Sequence, residues 1–213
     1  MVSEIEKIHF ISSETNGSTS NTDTQKLGLV RNASILEDTI FFNDYYYPKR
    51  LEGLKSEEIA FQESVWQFKS GNNTQWAKRH LSVLVDEGFS GRLYGKCEKR
   101  DVVLCAIPAS NQQRTQQRYQ TIISEVANEQ GFENGFGYIT SKTSREPKHF
   151  GLGHFDAEKH IEIHPEVSGK HILLFDDVFT SGDTFNQVKR ALLVKGAKSV
   201  TGIFIAKTKS QLK

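Results

Sequence analysis

The stretch His171-Ile-Leu-Leu-Phe-Asp-Asp-Val-Phe-Thr-Ser-Gly-Asp-Thr184 decides the fold class. Ile172 to Phe175 form an unbroken apolar run, the pattern of a strand covered on both faces of a parallel sheet. Two carboxylates, Asp176 and Asp177, stand at its carboxyl end. A Thr/Ser/Gly turn follows, and from Phe185 to Lys195 the apolar residues Phe185, Val188 and Leu192 recur at helical spacing. In an open α/β sheet, ligands bind beyond the carboxyl ends of the strands. A helix N-terminus offers a phosphate its free N–H groups and the positive end of its dipole. Thr180, Ser181 and Thr184 supply hydroxyl donors, and Gly182 permits close backbone approach. The acidic pair would repel that phosphate, so it is expected to face sugar hydroxyls or a divalent cation beside it. Each part thus has a role if a phosphorylated sugar binds at this turn; some other phosphorylated metabolite at the same helix N-terminus is the plainer alternative. A plain strand-to-helix turn capped by Thr180 or Ser181 would leave two adjacent carboxylates without a purpose.

The rest of the chain is consistent with one α/β domain. Its 213 residues suffice for a real core, and 27 basic against 26 acidic residues give a net charge of +1. That balance speaks against a general nucleic-acid or membrane binder. The two cysteines, Cys97 and Cys105, have no metal-ligand partner at useful spacing, which predicts a cytoplasmic protein without structural disulfides. No signal-peptide core opens the chain, and no apolar stretch is long enough to span a membrane.

Working outward, Ser12 to Gln25 reads as an exposed loop, flanked by candidate strands at 5–11, 27–30 and 39–42. These are expected to form a small antiparallel N-terminal appendage over residues 1–50, beside an α/β core at 55–208. Tyr45-Tyr46-Tyr47 before Pro48 reads as the anchor of a loop or an interface. Ser56 to Lys69 is predicted helical with Ser56 as N-cap, and Gly71-Asn-Asn breaks it before a second helix at 74–86. Both helices are read as packing rather than chemistry. Val102 to Ile107 is a second continuously apolar strand, followed by a polar run from Asn111 to Arg118 and helix-like residues from Tyr119 to Gln130. Gly131 to Gly137 reads as a turn, Tyr138-Ile139 as the start of a strand, and 197–206 as the last strand. Ser141 to His160 lacks periodicity, as functional loops often do.

Asp176 to Thr184, with the strand before it and the helix after it, resembles the phosphoribosyl pyrophosphate (PRPP) signature of the type I phosphoribosyltransferases. The resemblance implies the fold of that family and an enzyme that transfers a 5-phosphoribosyl group from PRPP to a nitrogen acceptor, in nucleotide metabolism. Such a glycosyltransferase uses Mg²⁺ and releases pyrophosphate. It implies that Asp176 and Asp177 hold the ribose hydroxyls and organise Mg²⁺. Thr180, Ser181, Gly182, the Asp183 N–H and Thr184 would bind the 5-phosphate. The stretch Pro108-x5-Arg114-x3-Arg118 resembles the pyrophosphate loop, closest to the competence-protein-F-like and amidophosphoribosyltransferase-like branch. Ala109, Ser110, Arg114 and Arg118 would then take the pyrophosphate, the two arginines lying on one face if that run is helical. The segment 141–160 stands where that branch has its catalytic loop, with Arg145 the preferred member and Lys148 and His149 beside it.

Departures from the relatives narrow the reading. The cysteine zinc module of competence-protein-F-like chains is missing, and the N-terminus Met1-Val2 lacks the cysteine nucleophile of the glutamine-dependent enzymes. Thr180 stands where the 6-oxopurine enzymes carry an acidic residue, which argues against hypoxanthine or guanine as acceptor. Asp183 is unusual beside a phosphate cradle. A homodimer is expected from the family, and residues 1–50 are the candidate acceptor hood. The alternative is a regulatory protein of the same fold that senses PRPP or a nucleotide without turnover.

Overall fold

The computed structural model describes residues 9–11, 40–48, 51, 53–86, 97–142 and 156–209. Its centre is a strand buried along nearly its whole length, β7 (His171–Phe179), because residues 172–175 offer apolar side chains to both faces. Beside it lie β8 (Ser199–Thr208) and β3 (Val102–Ala106), each parallel to β7. The sheet continues through β2 (Ile40–Tyr46), parallel to β8, and β4 (Glu133–Asn134), parallel to β3. An antiparallel strand, β1 (His9–Ile11), closes the edge, so the order is β1-β2-β8-β7-β3-β4. This is the open, mostly parallel α/β sheet that the apolar runs predict.

Helices cover both faces. On one side α1 (Ser56–Lys69), α2 (Thr74–Val83) and a helix after β3 pack onto Leu104, Leu173, Phe175, Ile203 and Ile205. That last helix comprises α3 (Gln112–Thr115), a π-helical turn (Gln116–Gln120) and α4 (Thr121–Gln130). On the other side lie α6 (Asp183–Val194) and a small antiparallel sheet, β5 (Ile139–Ser141) with β6 (Ile161–Ile163). They cover Val103, Cys105, Ile172, Leu174 and Phe204, with α5 (Ala157–His160) leading into β6.

Several expectations are corrected. The 39–42 strand is no detached appendage: β2 runs on to Tyr46 and hydrogen-bonds to β8 within the main sheet. Tyr45 and Tyr46 therefore belong to a strand, where Tyr45 packs edge-on against Phe42 with ring centroids 5.3 Å apart, and Tyr47 is buried in the core. The N-cap of α1 is Lys55 rather than Ser56, because the Glu58 carboxylate accepts the Lys55 N–H at 2.7 Å. In α1 the buried stripe is Gln62, Val65 and Phe68, while Ile59 and Trp66 are exposed. The predicted turn after Gly131 contains β4, and β6 was not predicted; both are too short to show a period of two. The candidate strand 27–30 and the polar loop 12–25 lie outside the described residues. Among the described residues no helix is long and apolar enough to cross a membrane.

Two expected outcomes test this packing. A Cβ at Gly202 would lie 2.7 Å from Phe204 and 2.9 Å from Phe185, so Gly202→Ala should lower stability by about 1–3 kcal/mol in urea unfolding. His171, whose Nδ1 lies 2.9 Å from the Ser199 hydroxyl, has its pKa lowered by burial and by Lys198. Its unfolded form binds a proton more readily, so this contribution to stability is present above the unfolded value and lost as pH falls below about 6.5. The unfolding midpoint should drop between pH 7.5 and 5, and the slope should be shallower in His171→Gln.

Candidate active site

Strands β3 and β7 are neighbours, but the chain leaves them in opposite directions. After β3 it passes through α3 and α4 to β4 on one side; after β7 it passes through α6 to β8 on the other. The crevice beyond the carboxyl ends of two such strands is the topological switch point, where open α/β sheets bind ligands. The two strands are joined there by the Ile107 N–H, which donates to the Phe175 carbonyl at 2.9 Å. Asp176 and Asp177 come next on β7.

The two carboxylates have different surroundings. Asp177 is 3% exposed. The Lys69 ammonium donates to its Oδ1 at 2.8 Å, and the Arg118 guanidinium donates to its Oδ2. Both oxygens are thus held by cations, which is how a buried carboxylate remains ionised. Asp176 is half-buried. Its Oδ1 accepts from the Tyr119 hydroxyl at 2.8 Å and from the Asp177 N–H at 2.8 Å, while its Oδ2 has no hydrogen-bond partner among the described residues. Burial pushes the Tyr119 hydroxyl pKa up and the Lys69 ammonium pKa down, the latter countered in part by Asp176.

Beneath these charges, the rings of Phe68, Tyr119 and Phe175 stack edge-on or tilted with centroids 5.8 to 6.4 Å apart. The Arg118 guanidinium lies 4.7 Å from the Tyr119 ring centroid and 5.4 Å from that of Phe68. Each aromatic residue directly precedes or follows a charged one in sequence, so packing the rings aligns the charges.

The hydroxyl turn opens α6. Gly182 is its N-cap with φ 85°, and a Cβ there would lie 2.7 Å from Phe179, so both backbone and space demand glycine. Thr180, Ser181 and Asp183 are exposed and Thr184 half-buried. The Ser181 hydroxyl donates to Asp183 Oδ2 at 2.7 Å, which turns that carboxylate back along the loop. The N-cap Gly182 has no side chain to close this helix end, but the Asp183 N–H donates to the Ser181 Oγ at 3.4 Å.

The stretch after β3 fits its expectation only in part. The N–H of Ala109, a residue expected to take the pyrophosphate, donates to Thr115 Oγ1 at 2.9 Å. Ser110 is half-buried at the turn, and Asn111 caps α3 by accepting the Arg114 N–H at 2.9 Å. The arginines stand in different elements: Arg114, in α3, is exposed, whereas Arg118, in the π turn, is turned inward onto Asp177. Arg145, Lys148 and His149 lie outside the described residues. Lys69 and Tyr119 were missed as site residues, since both sit in segments whose sequence reads as helix packing. The only local signal is that each adjoins a residue of the aromatic stack or of the acidic pair's salt bridges.

Among the described residues no three or more His, Cys, Asp or Glu side chains gather to hold a metal. Mg²⁺, however, is commonly held by one or two carboxylates together with substrate phosphates and water. Asp176, whose Oδ2 has no partner among the described residues, fits that role; Asp177 already serves two cations.

No protein-family model matches the chain, and no curated protein matches it either. Solved structures similar to it include the hypoxanthine-guanine phosphoribosyltransferase of L. donovani, at 13% identity, covering 66% of this chain and 71% of that one with a TM-score of 0.38. The Leishmania tarentolae enzyme in complex with GMP is 15% identical, over 71% and 80% of the two chains, with a TM-score of 0.33. The Trypanosoma cruzi hypoxanthine phosphoribosyltransferase is 11% identical, over 71% and 76%, with a TM-score of 0.35.

The turn itself is testable. Gly182→Ala should cost about 1–3 kcal/mol of stability, because it combines a left-handed backbone with a clash on Phe179. A melting temperature equal to the parent's would show that the turn relaxes freely.

Proposed function

We propose that this protein is a Mg²⁺-dependent phosphoribosyltransferase that transfers the 5-phosphoribosyl group of PRPP to a nitrogen acceptor, releasing pyrophosphate. The observation that carries the reading is the switch-point crevice, where a half-buried carboxylate whose Oδ2 has no partner among the described residues precedes, on the same strand end, a hydroxyl-rich, glycine-capped helix N-terminus. Ser181, Gly182, the Asp183 N–H, Thr184 and Thr180 would receive the 5-phosphate at the positive end of α6. Asp176 would contact the ribose hydroxyls and hold Mg²⁺. Asp177, occupied by Lys69 and Arg118, would act through them.

The chemistry asked of these residues is electrostatic. Positive charge develops on the ribose as the bond to pyrophosphate breaks, and negative charge grows on the departing group. Carboxylates beneath the sugar would stabilise the first, and the exposed Arg114 at the end of β3 the second, Arg118 being engaged by Asp177. Mg²⁺, which Asp176 would hold, would supply further positive charge to stabilise the leaving group. No covalent nucleophile is needed.

One observation favours the non-catalytic alternative. The Ala109 N–H is already bonded to Thr115 Oγ1, which leaves one backbone donor fewer for an anion at the second cradle. Calorimetric titration of PRPP with and without Mg²⁺ tests the ligand assignment. Binding should require Mg²⁺ and should weaken at least about tenfold in Asp176→Asn. That substitution keeps an oxygen for Tyr119 and for the Asp177 N–H, so its melting temperature should match the parent's. Failure of PRPP to bind under either condition overturns the proposal; binding without pyrophosphate release across an acceptor panel selects the sensor.

A further inference from the structure

Tyr119 is fully buried in the aromatic stack, and a buried tyrosine hydroxyl ordinarily needs only some polar partner. The partner it finds is a member of the acidic pair. The hydroxyl crosses to the carboxyl end of the central strand, 57 positions along the chain, and donates to Asp176 Oδ1 at 2.8 Å. Burial pushes the pKa of this hydroxyl up, with Arg118 opposing the rise and Asp176 adding to it, so at neutral pH it carries the proton that it donates.

The ring that bears the hydroxyl has little room to move. Its centroid lies 5.9 Å from that of Phe68 and 5.8 Å from that of Phe175, both edge-on, and the Arg118 guanidinium stands 4.7 Å from it. Phe68 comes from α1 and Phe175 from β7, so two elements besides its own grip the ring. The preceding side chain, Arg118, is anchored on Asp177. Two consecutive residues of the π turn thus engage two consecutive residues of the strand.

Asp176 Oδ1 accepts one further bond, from the Asp177 N–H at 2.8 Å. That donor belongs to the backbone of β7, so it ties the carboxylate only to its own strand, and a side chain held at one point still pivots about it. The Tyr119 hydroxyl approaches from a helix packed across the core, and this second donor removes the pivot.

We propose that Tyr119 is a positioning residue: its hydroxyl, held by the aromatic stack, sets the rotation of the Asp176 carboxylate toward ribose and Mg²⁺. This rests on the reading of the crevice as a PRPP and Mg²⁺ site. Being fully buried, Tyr119 acts through Asp176, by removing beforehand a freedom that the carboxylate would otherwise lose on binding.

Calorimetric titration of PRPP into the full chain over a series of Mg²⁺ concentrations tests this. The parent is measured first, then Tyr119→Phe, Asp176→Asn and the double variant, with a melting temperature for each. Tyr119→Phe keeps the ring of the stack and removes only the oxygen. It should weaken PRPP binding about tenfold and raise the Mg²⁺ concentration needed for half-maximal binding. A hydroxyl that serves the fold alone would lower the melting temperature and move neither quantity. The double variant should bind no more weakly than Asp176→Asn, since the hydroxyl acts only through that carboxylate. A weaker affinity with an unchanged Mg²⁺ requirement overturns the proposal, as do losses that multiply in the double variant. If Asp176→Asn binds too weakly to measure, the Mg²⁺ series on Tyr119→Phe decides. A parent that does not bind PRPP overturns the ligand reading and this inference with it. A parent that binds, with Tyr119→Phe indistinguishable from it, overturns the inference alone.

Discussion

A buried carboxylate held by two cations from distant segments is the constraint on which this site depends. Asp177 cannot stay ionised at 3% exposure without compensation, and Lys69 and Arg118 provide it from α1 and the π turn. Removing Asp177 would leave Lys69 and Arg118 facing one another without their shared counter-charge. The arrangement therefore ties the central strand, the first helix and the helix after β3 into one unit, at the end of the sheet where a ligand would enter.

The apolar packing beneath makes that pairing geometrically possible. Phe68, Tyr119 and Phe175 each adjoin, in sequence, a member of the charged group, and their rings meet in the core. Burial of the three aromatic side chains stabilises this contact without desolvating a charge, whereas a buried ion pair must first offset that cost. Packing therefore sets the positions, and the ionic contacts follow. The π turn has a part in this: it carries Arg118, which is turned inward, while Arg114, in α3 before it, is exposed.

Much of this was legible from the residues. The runs Val102 to Ile107 and Ile172 to Phe175 announce strands buried on both faces, and they are adjacent in the sheet. Gly182 announces the turn, and the Phe185, Val188, Leu192 spacing announces the helix behind it. Less legible were elements defined by pairing rather than pattern. The two-residue β4 and three-residue β6 exist because neighbours offer them hydrogen bonds, and the strand at Ile40 joins the main sheet because β8 presents a free edge to it.

By itself the sequence determined the α/β class, the central strand, the hydroxyl turn and the acidic pair, because each is encoded by contiguous residues whose local preferences agree. Only the tertiary structure decided how that pair is divided. Whether a carboxylate faces a ligand or a salt bridge depends on which side chains arrive from far along the chain, and nothing near Asp177 announces Lys69, 108 residues earlier. Local chemistry specifies the parts of a site; burial and long-range charge pairing assign them their places.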